Sequence, residues 1–212
     1  MYTLFVFLIT FAALGQEGVE EAVKPEPRVE LGIKAGLNYN SLLYNNNAFD
    51  NESKIGYVGG FFISAGINKV IGGKAEALIS QKSFSGSSTV DSTDYIYTRN
   101  ACYIDFPLLL QIKPTKWLGL VGGVQYTALV FKGDAVETNN AETSQRLLTE
   151  NKNVASSNLG ACAGVEITFK RIWVWGRYNV DFDHNNGNGT RTIPAYRNQV
   201  VQIGVGYSFF RF

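Results

Sequence analysis

Long segments of this sequence alternate apolar and polar side chains with a period of two residues. The pattern is clearest in residues 103–130, where two such segments are joined by the turn-forming run Pro114-Thr115-Lys116. Because successive side chains of a β-strand point to opposite faces, a two-residue period predicts strands rather than helices. This stretch therefore predicts a β-hairpin with one apolar face and one face of small and polar residues. The apolar face carries Ile104, Phe106, Leu108, Leu110, Ile112, Leu118, Leu120, Val124, Tyr126, Ala128 and Val130.

The alternation recurs along the chain, and no segment of helical length with a 3.6-residue period follows residue 28. The predicted strands are residues 29–39, 55–68, 74–84, 95–113, 118–130, 157–169, 172–182 and 198–212. Their connections are alternately long and short, and the long ones are residues 40–54, 85–94, 132–156 and 183–197. Short turns at one end and long loops at the other are typical of a transmembrane barrel, whose strands need about 9–11 residues to cross a bilayer. We therefore predict an all-β fold, an eight-stranded antiparallel up-and-down transmembrane barrel.

A soluble barrel is the alternative, with the polar face in water and the apolar face inside. On the fifth predicted strand the polar face consists of Gly119, Val121, Gly123, Gln125 and Thr127, without a single charge. A water-exposed face would carry Lys and Glu, whereas the crowded lumen of a small barrel favours small residues and a few paired polar ones. This composition favours the membrane barrel, with its apolar face toward lipid.

The first 28 residues differ from the rest in composition. Residues 1–15 form an apolar run that ends in small residues, which predicts a secretory signal peptide. A membrane anchor would need about 20 apolar residues, more than this run contains. Residues 16–28 are acidic and include two prolines, so we predict a short periplasmic linker there. The barrel domain is then predicted over residues 29–212.

Charge and cysteine usage narrow the range of partners. The chain is 17% charged, below the usual value of about 25%, and its formal net charge is +1. No basic stripe is present, so nothing supports a nucleic-acid partner. Cys102 and Cys162 would meet an oxidising compartment after export, but the alternation places them on opposite faces of their strands. We therefore predict no disulfide.

The sequence also offers little for catalysis or metal binding. The single histidine, His184, lies in an Asn/Gly-rich loop, which is typical of a solvated polar residue. In the same loop Asp181, Asp183 and Asn185 alternate as in a calcium-binding loop, but the glycine falls one residue late and no Glu closes the loop. We predict no catalytic residue, no metal ligand and no cofactor.

Charged side chains on the polar face are predicted to point into the lumen. A charge buried in the lumen is unfavourable unless it is paired, so these residues predict a structural salt-bridge network that plugs the barrel. We expect Arg177, Asp105 and Glu76 at its centre, and a proton or ion path is the alternative. The predicted lumen-facing charged residues are Lys34, Glu76, Lys82, Asp105, Glu166, Arg177 and Asp181.

Six segments, in their order and spacing, give the chain a wider resemblance: ELGIKAGLNYN, AEALISQKSF, YIDFPLLLQIK, LVGGVQY, WGRYNVDF and VQIGVGYSFF. On these residues the chain resembles the porin-family, or outer membrane protein beta-barrel domain, proteins of Bacteroidetes. The resemblance implies a small eight-stranded barrel, most members of this family having no defined biochemical activity. It also implies a terminal aromatic-x-Phe signal for the barrel-insertion machinery. Here Tyr207-Ser208-Phe209 is followed by Phe210-Arg211-Phe212, so the identity of the signalling Phe stays open.

These observations lead to one main hypothesis and two alternatives. The main hypothesis is a non-enzymatic protein of the outer membrane, in contact with outer-membrane lipid and barrel-insertion machinery. Its role would be structural, or it would bind an extracellular ligand through the four predicted long loops. The alternatives are a narrow porin-like pore for small solutes and a small lipid-modifying barrel enzyme.

Overall fold

The computed structural model describes residues 29–44, 50–90, 93–137, 155–186 and 195–211. These residues form β-strands and short connections, and no helix among them is long and apolar enough to cross a membrane. The strands are β1 Val29–Tyr44, β2 Asp50–Gly66, β3 Ile71–Val90, β4 Thr93–Ile112, β5 Leu118–Glu137, β6 Ser157–Phe169, β7 Ile172–Asp181 and β8 Tyr196–Arg211.

Every strand pairs antiparallel with the next strand in the sequence, and β1 pairs with β8 to close the sheet. The result is a closed barrel in which no strand is left at an edge along its whole length. At the closing seam Gly36 of β1 lies opposite Gly204 of β8. The prediction of an eight-stranded antiparallel up-and-down barrel is therefore confirmed.

The two ends of the barrel differ in the connections they carry. Residues 67–70, 113–117 and 170–171 make short connections at the end where β1 begins and β8 ends. Such short turns mark the periplasmic end of transmembrane barrels. In the 170–171 turn, Lys170 adopts a positive φ of 57°, an uncommon but permitted conformation for a tight reversal.

At the opposite end the predicted loop boundaries were wrong, because the strands run further than the apolar alternation does. β3 and β4 continue as a hairpin through most of the predicted loop 85–94, and only residues 91–92 separate them. Strands also take in parts of the predicted loops 40–54 and 132–156, whereas in 183–197 only the last two residues are strand. An outer face above the lipid need not be apolar, so polar and Ser-rich sequence is compatible with strand there.

The two faces of the wall have the predicted characters. Most outward-facing side chains are large and apolar, and many of these are half-exposed or more, such as Phe61, Leu108 and Val205. Inward-facing positions are buried and largely polar. Cys102 lies on the outer face and Cys162 on the inner face, and both are free thiols as predicted.

The pairing of β2 with β3 is interrupted near the extracellular end. Val58 lies five positions after Ser53 on β2, but their partners, Ser80 and Phe84, are only four positions apart on β3. Asn38 of β1 bridges the gap from the lumen side. Its side-chain nitrogen donates hydrogen bonds to the carbonyl oxygens of Tyr57 (3.3 Å) and Gln81 (2.9 Å). The irregularity is therefore a bulge whose displaced carbonyl groups are satisfied by a third strand.

The predicted signal peptide, residues 1–15, and the predicted linker, residues 16–28, lie outside the described residues.

Candidate functional site

The lumen holds the buried charged side chains of the barrel. All seven residues predicted to face it are buried, each with 5% or less of its surface exposed. They reach it because they occupy alternate positions on their strands, the positions opposite the lipid-facing apolar ones. The structure also shows how they are grouped, in layers at different heights in the barrel.

The central layer is built on Glu76 of β3. Its carboxylate accepts hydrogen bonds from Lys34 Nζ at 3.1 Å and from Arg177 Nη2 at 2.7 Å. Lys34 Nζ also lies 3.6 Å from the centre of a ring of Trp175, within the range of a cation–π interaction. Glu76 thus ties β1 and β7 to β3 across the lumen.

Asp105 does not belong to that centre, contrary to our prediction. Its carboxylate instead accepts hydrogen bonds from Lys82 Nζ at 3.0 Å and from Thr127 Oγ1 at 2.9 Å. These partners come from the strands on either side of β4, whereas Arg177 and Glu76 meet each other across the barrel. Alternation placed all of these residues in the lumen, but their heights along the strands decide which of them meet.

Toward the periplasmic end, a second layer contains a lysine that the sequence analysis missed. Lys74 Nζ lies 2.6 Å from Glu166 Oε1, and Gln111 Nε2 donates to Glu166 Oε2 at 2.7 Å. Lys74 also lies 4.1 Å from the centre of a ring of Trp173, which packs edge-to-face on Phe62. Lys74 has the same parity as Glu76 on β3, and that signal could have identified it.

At the extracellular end, Arg99 is the centre of a third group, also missed by the sequence analysis. Its guanidinium pairs with Asp134 (Nε to Oδ1, 2.7 Å) and donates to the hydroxyl groups of Tyr196 (2.8 Å) and Tyr97. Phe84 packs against both tyrosine rings. Burial raises the pKa of the Tyr97 hydroxyl, so this group stays protonated at neutral pH. The group joins β3, β4, β5 and β8 above the lipid, and two of its members, Asp134 and Tyr196, lie in segments predicted to be loops.

Asp181 is held differently from the other buried carboxylates. Its Oδ2 accepts from the side-chain amides of Asn185 (2.8 Å) and Asn198 (3.2 Å), and no ion pair to it occurs among the described residues. His184, nearby, is exposed. In the described part of the chain, no group of three or more His, Cys, Asp or Glu side chains could hold a metal ion.

Several buried polar atoms between these layers have no hydrogen-bond partner in the described part of the protein. They include Nε and Nη1 of Arg177, Nε1 of Trp175 and both polar side-chain atoms of Asn179. These three residues occupy successive inward positions of β7. Buried groups of this kind usually bind ordered water.

The family comparison bears on the barrel rather than on any single residue. The family model described as outer membrane protein beta-barrel domain matches residues 17–185. The chain belongs to this family. A protein of the outer membrane beta-barrel family lies in the outer membrane, and the apolar exterior of β1–β8 is then its lipid-facing surface.

The solved structures that are similar to this chain include two proteins that are each 11% identical to it. Ail, the attachment invasion locus protein of Yersinia pestis, matches over 87% of this chain and 99% of its own, with a TM-score of 0.43. Neisserial surface protein A matches over 84% of this chain and 97% of its own, with a TM-score of 0.40. No curated protein sequence matches this chain.

Proposed function

We propose that this outer-membrane barrel is non-enzymatic, that side chains plug its lumen, and that its role is structural or is binding at its extracellular end. The main support is the stack of layers in the lumen: the ion pairs of Glu76 and Glu166 cross it, and the Arg99 group reaches from β4 to β8 through Tyr196. Each layer joins strands from different sides of the barrel, so ions could pass only if these pairs separated. Removal of one partner from a buried ion pair of this kind strongly destabilises a protein.

The segments available for binding are those that connect strands at the extracellular end. The strand hairpin β3–β4 and the upper part of β5 rise above the lipid and are fixed from inside by the Arg99 group. This arrangement supports a rigid platform for an extracellular ligand. Contacts with outer-membrane lipid and with the barrel-insertion machinery are part of the same proposal, as is an origin in Bacteroidetes.

Conductance measurements test the plugged lumen. We expect purified protein in planar lipid bilayers to give no steady single-channel steps, because the layers of ion pairs close the lumen at several heights. The variant Arg177→Ala, which removes one donor to Glu76, serves as a comparison for a loosened centre. Steady steps from the unmodified protein would contradict the proposal.

A narrow pore for small solutes is the second candidate, and the unpartnered polar atoms of Trp175, Arg177 and Asn179 favour it. Water bound along β7 would give the lumen a partly hydrated path between the charged layers. In the same bilayer measurement, this candidate requires steps that the double variant Trp175→Phe/Asn179→Leu reduces. A silent unmodified protein would exclude it.

A further inference from the structure

A groove of about 500 Å³ lies on the outer wall of the barrel, facing away from the charged lumen. It crosses β2, β3, β4 and β5 and none of the sites described above uses it. The side chains that shape its outer surface are Tyr57, Ile79, Gln81, Asn100, Cys102 and Phe131.

Two aromatic side chains form the sides of this groove. Tyr57 of β2 is 70% exposed and Phe131 of β5 is 66% exposed, although both stand on strands of a closed wall. Between them Gln81 pairs with Cys102, and Cys102 pairs with Phe131, so the groove runs across one row of the sheet. A register shift after Cys102 and the bulge of β2 against β3 lie at this row. These irregularities separate the two aromatic side chains and leave space between them.

The groove lies at the upper edge of the lipid-facing surface. Gln81 follows Ile71, the first residue of β3, by ten positions (81 − 71). At about 3.3 Å per residue and a tilt of about 40°, this places Gln81 about 25 Å above the start of the strand, which is the height of the apolar band of such barrels. The side-chain amides of Gln81 and Asn100 make no hydrogen bond within the described part of the chain. They therefore form a polar rim above apolar walls.

Below the groove, the outer face of β3 offers a continuation toward the periplasm. Past Ile79, its outward-facing residues are small, namely Ala77, Ala75 and Gly73. On the neighbouring strands, large side chains stand beside them: Phe61 of β2 is opposite Ala77, and Leu108 of β4 is opposite Ala75. The result is a shallow valley with apolar ridges on both sides.

We propose that this groove binds one acyl chain of an outer-leaflet lipid, with the ester or amide linkage of that chain hydrogen-bonded to Gln81 and Asn100. The groove is continuous with the surface that contacts the bilayer, so a lipid chain reaches it without leaving the hydrocarbon. Tyr57 and Phe131 hold the upper part of the chain, and the valley along β3 receives its lower part. The two amides match the carbonyl oxygen of a lipid linkage, since each can donate two hydrogen bonds.

Photo-crosslinking of lipid to the folded protein tests this proposal. The protein is refolded into vesicles of phosphatidylethanolamine and phosphatidylglycerol that contain a phospholipid with a diazirine on one acyl chain. After irradiation, we expect crosslinks to concentrate on peptides of the groove and to be lost in the variant Cys102→Trp, whose indole fills it. The control is Ile203→Trp, which adds the same ring at an exposed, lipid-facing position of β8, outside the groove and the valley.

Two further variants complete the design. Ile79→Trp fills the groove from below and replaces Cys102→Trp if that variant does not refold. Gln81→Leu/Asn100→Leu keeps the apolar walls and removes the polar rim, so we expect it to lower the yield of groove crosslinks. Crosslinks spread evenly over the apolar surface, or a groove signal unchanged by the filling variants, would overturn the site. A yield unchanged by the double Leu variant would overturn the role of the amides.

Discussion

Glu76 holds the central ion pairs of the lumen together, since both Lys34 and Arg177 donate to its carboxylate. Without Arg177, this buried carboxylate would keep only Lys34 as a cationic partner. The remaining arrangement would be short of one charge-assisted hydrogen bond in a region that excludes bulk water. The stability of the barrel should therefore respond strongly to this single side chain.

We predict that Arg177→Leu lowers the free energy of unfolding by about 3–5 kcal/mol, the usual effect of removing one partner of a buried pair. The measurement is urea unfolding of the protein in lipid vesicles, followed by tryptophan fluorescence. The control is Arg211→Leu, because Arg211 pairs with Glu30 at 3.3 Å in a partly exposed position. Its loss should change stability by about 0–1 kcal/mol. Equal effects of the two substitutions would contradict the central role of Glu76.

For single residues, the sequence predicted which side chains face the lumen better than it predicted which of them form ion pairs. The alternation of β-strands is enough to assign Lys34, Asp105 and Arg177 to the lumen, because each inward position follows from its neighbours along the strand. It does not give the relative heights of strands that face each other across the barrel. Those heights depend on the stagger of the closed sheet, and they decide that Arg177 of β7 meets Glu76 of β3. Asp105 meets Lys82 of the neighbouring strand instead.

Among the elements, β2 and β3 depend on a side chain from β1. Asn38 donates to two backbone carbonyl groups at their bulge, and it also accepts from Gln202 Nε2 at 2.9 Å. The unpaired backbone groups of a bulge usually form hydrogen bonds with water. In this bulge the side-chain amide of Asn38 takes the place of water on the lumen side. The upper part of the β2–β3 pairing should thus be less stable without it.

We predict that Asn38→Leu accelerates amide hydrogen exchange in residues 54–57 and 81–83, with a loss of about 1–3 kcal/mol for the unsatisfied carbonyl groups. Exchange followed by mass spectrometry of peptides from the folded barrel measures this effect. Asn100→Leu is the matched control, since Asn100 is exposed on the outer face. Exchange in β6 and β7 should stay unchanged in both variants. Protection of the bulge peptides equal to that of the unmodified protein would contradict the bridging role.

The seam between β1 and β8 depends on close approach of two backbones. A Cβ atom at Gly204 would lie 2.2 Å from the carbonyl oxygen of Ala35, far inside any permitted contact. We predict that Gly204→Val abolishes the faster migration of unboiled protein on SDS gels that marks a closed barrel. Gly122→Val is the control, because its Cβ would meet only the Cys162 carbonyl oxygen, at 3.9 Å. A closed Gly204→Val barrel would show that the seam tolerates a wider spacing.

The boundaries of the elements were predicted less well than their number. Strands were assigned only as far as apolar side chains alternate, and this rule ends where the lipid ends. Asp134 and Tyr196 lie beyond that level, and their strands continue because the lumen side still has a core to bury. In such extensions only the alternate, inward-facing residues indicate a strand. This pattern is hard to recognise in the sequence when the outward-facing residues are polar as well.

For the molecule as a whole, seven of the eight strand pairings join neighbours in the sequence, and the remaining one joins the first strand to the last. Hairpins of neighbours can form early, since each of them closes a much shorter segment of chain than the pairing of β1 with β8 does. The pairing of β1 with β8 must wait for the last residues of the chain. It is therefore the last strand pairing that can form, and the edges of β1 and β8 stay open until it does.

Because closure needs β8, the domain that can fold must extend to the end of that strand. The family match ends at residue 185, before β8 begins at Tyr196. A chain cut after residue 185 would keep seven strands and both open edges, which are templates for pairing with other chains. We predict that it forms intermolecular aggregates in detergent rather than a monomeric barrel, as measured by light scattering, and that adding residues 186–212 as a separate peptide rescues the monomer. The recognisable family segment and the unit that can fold are thus different lengths of the same chain.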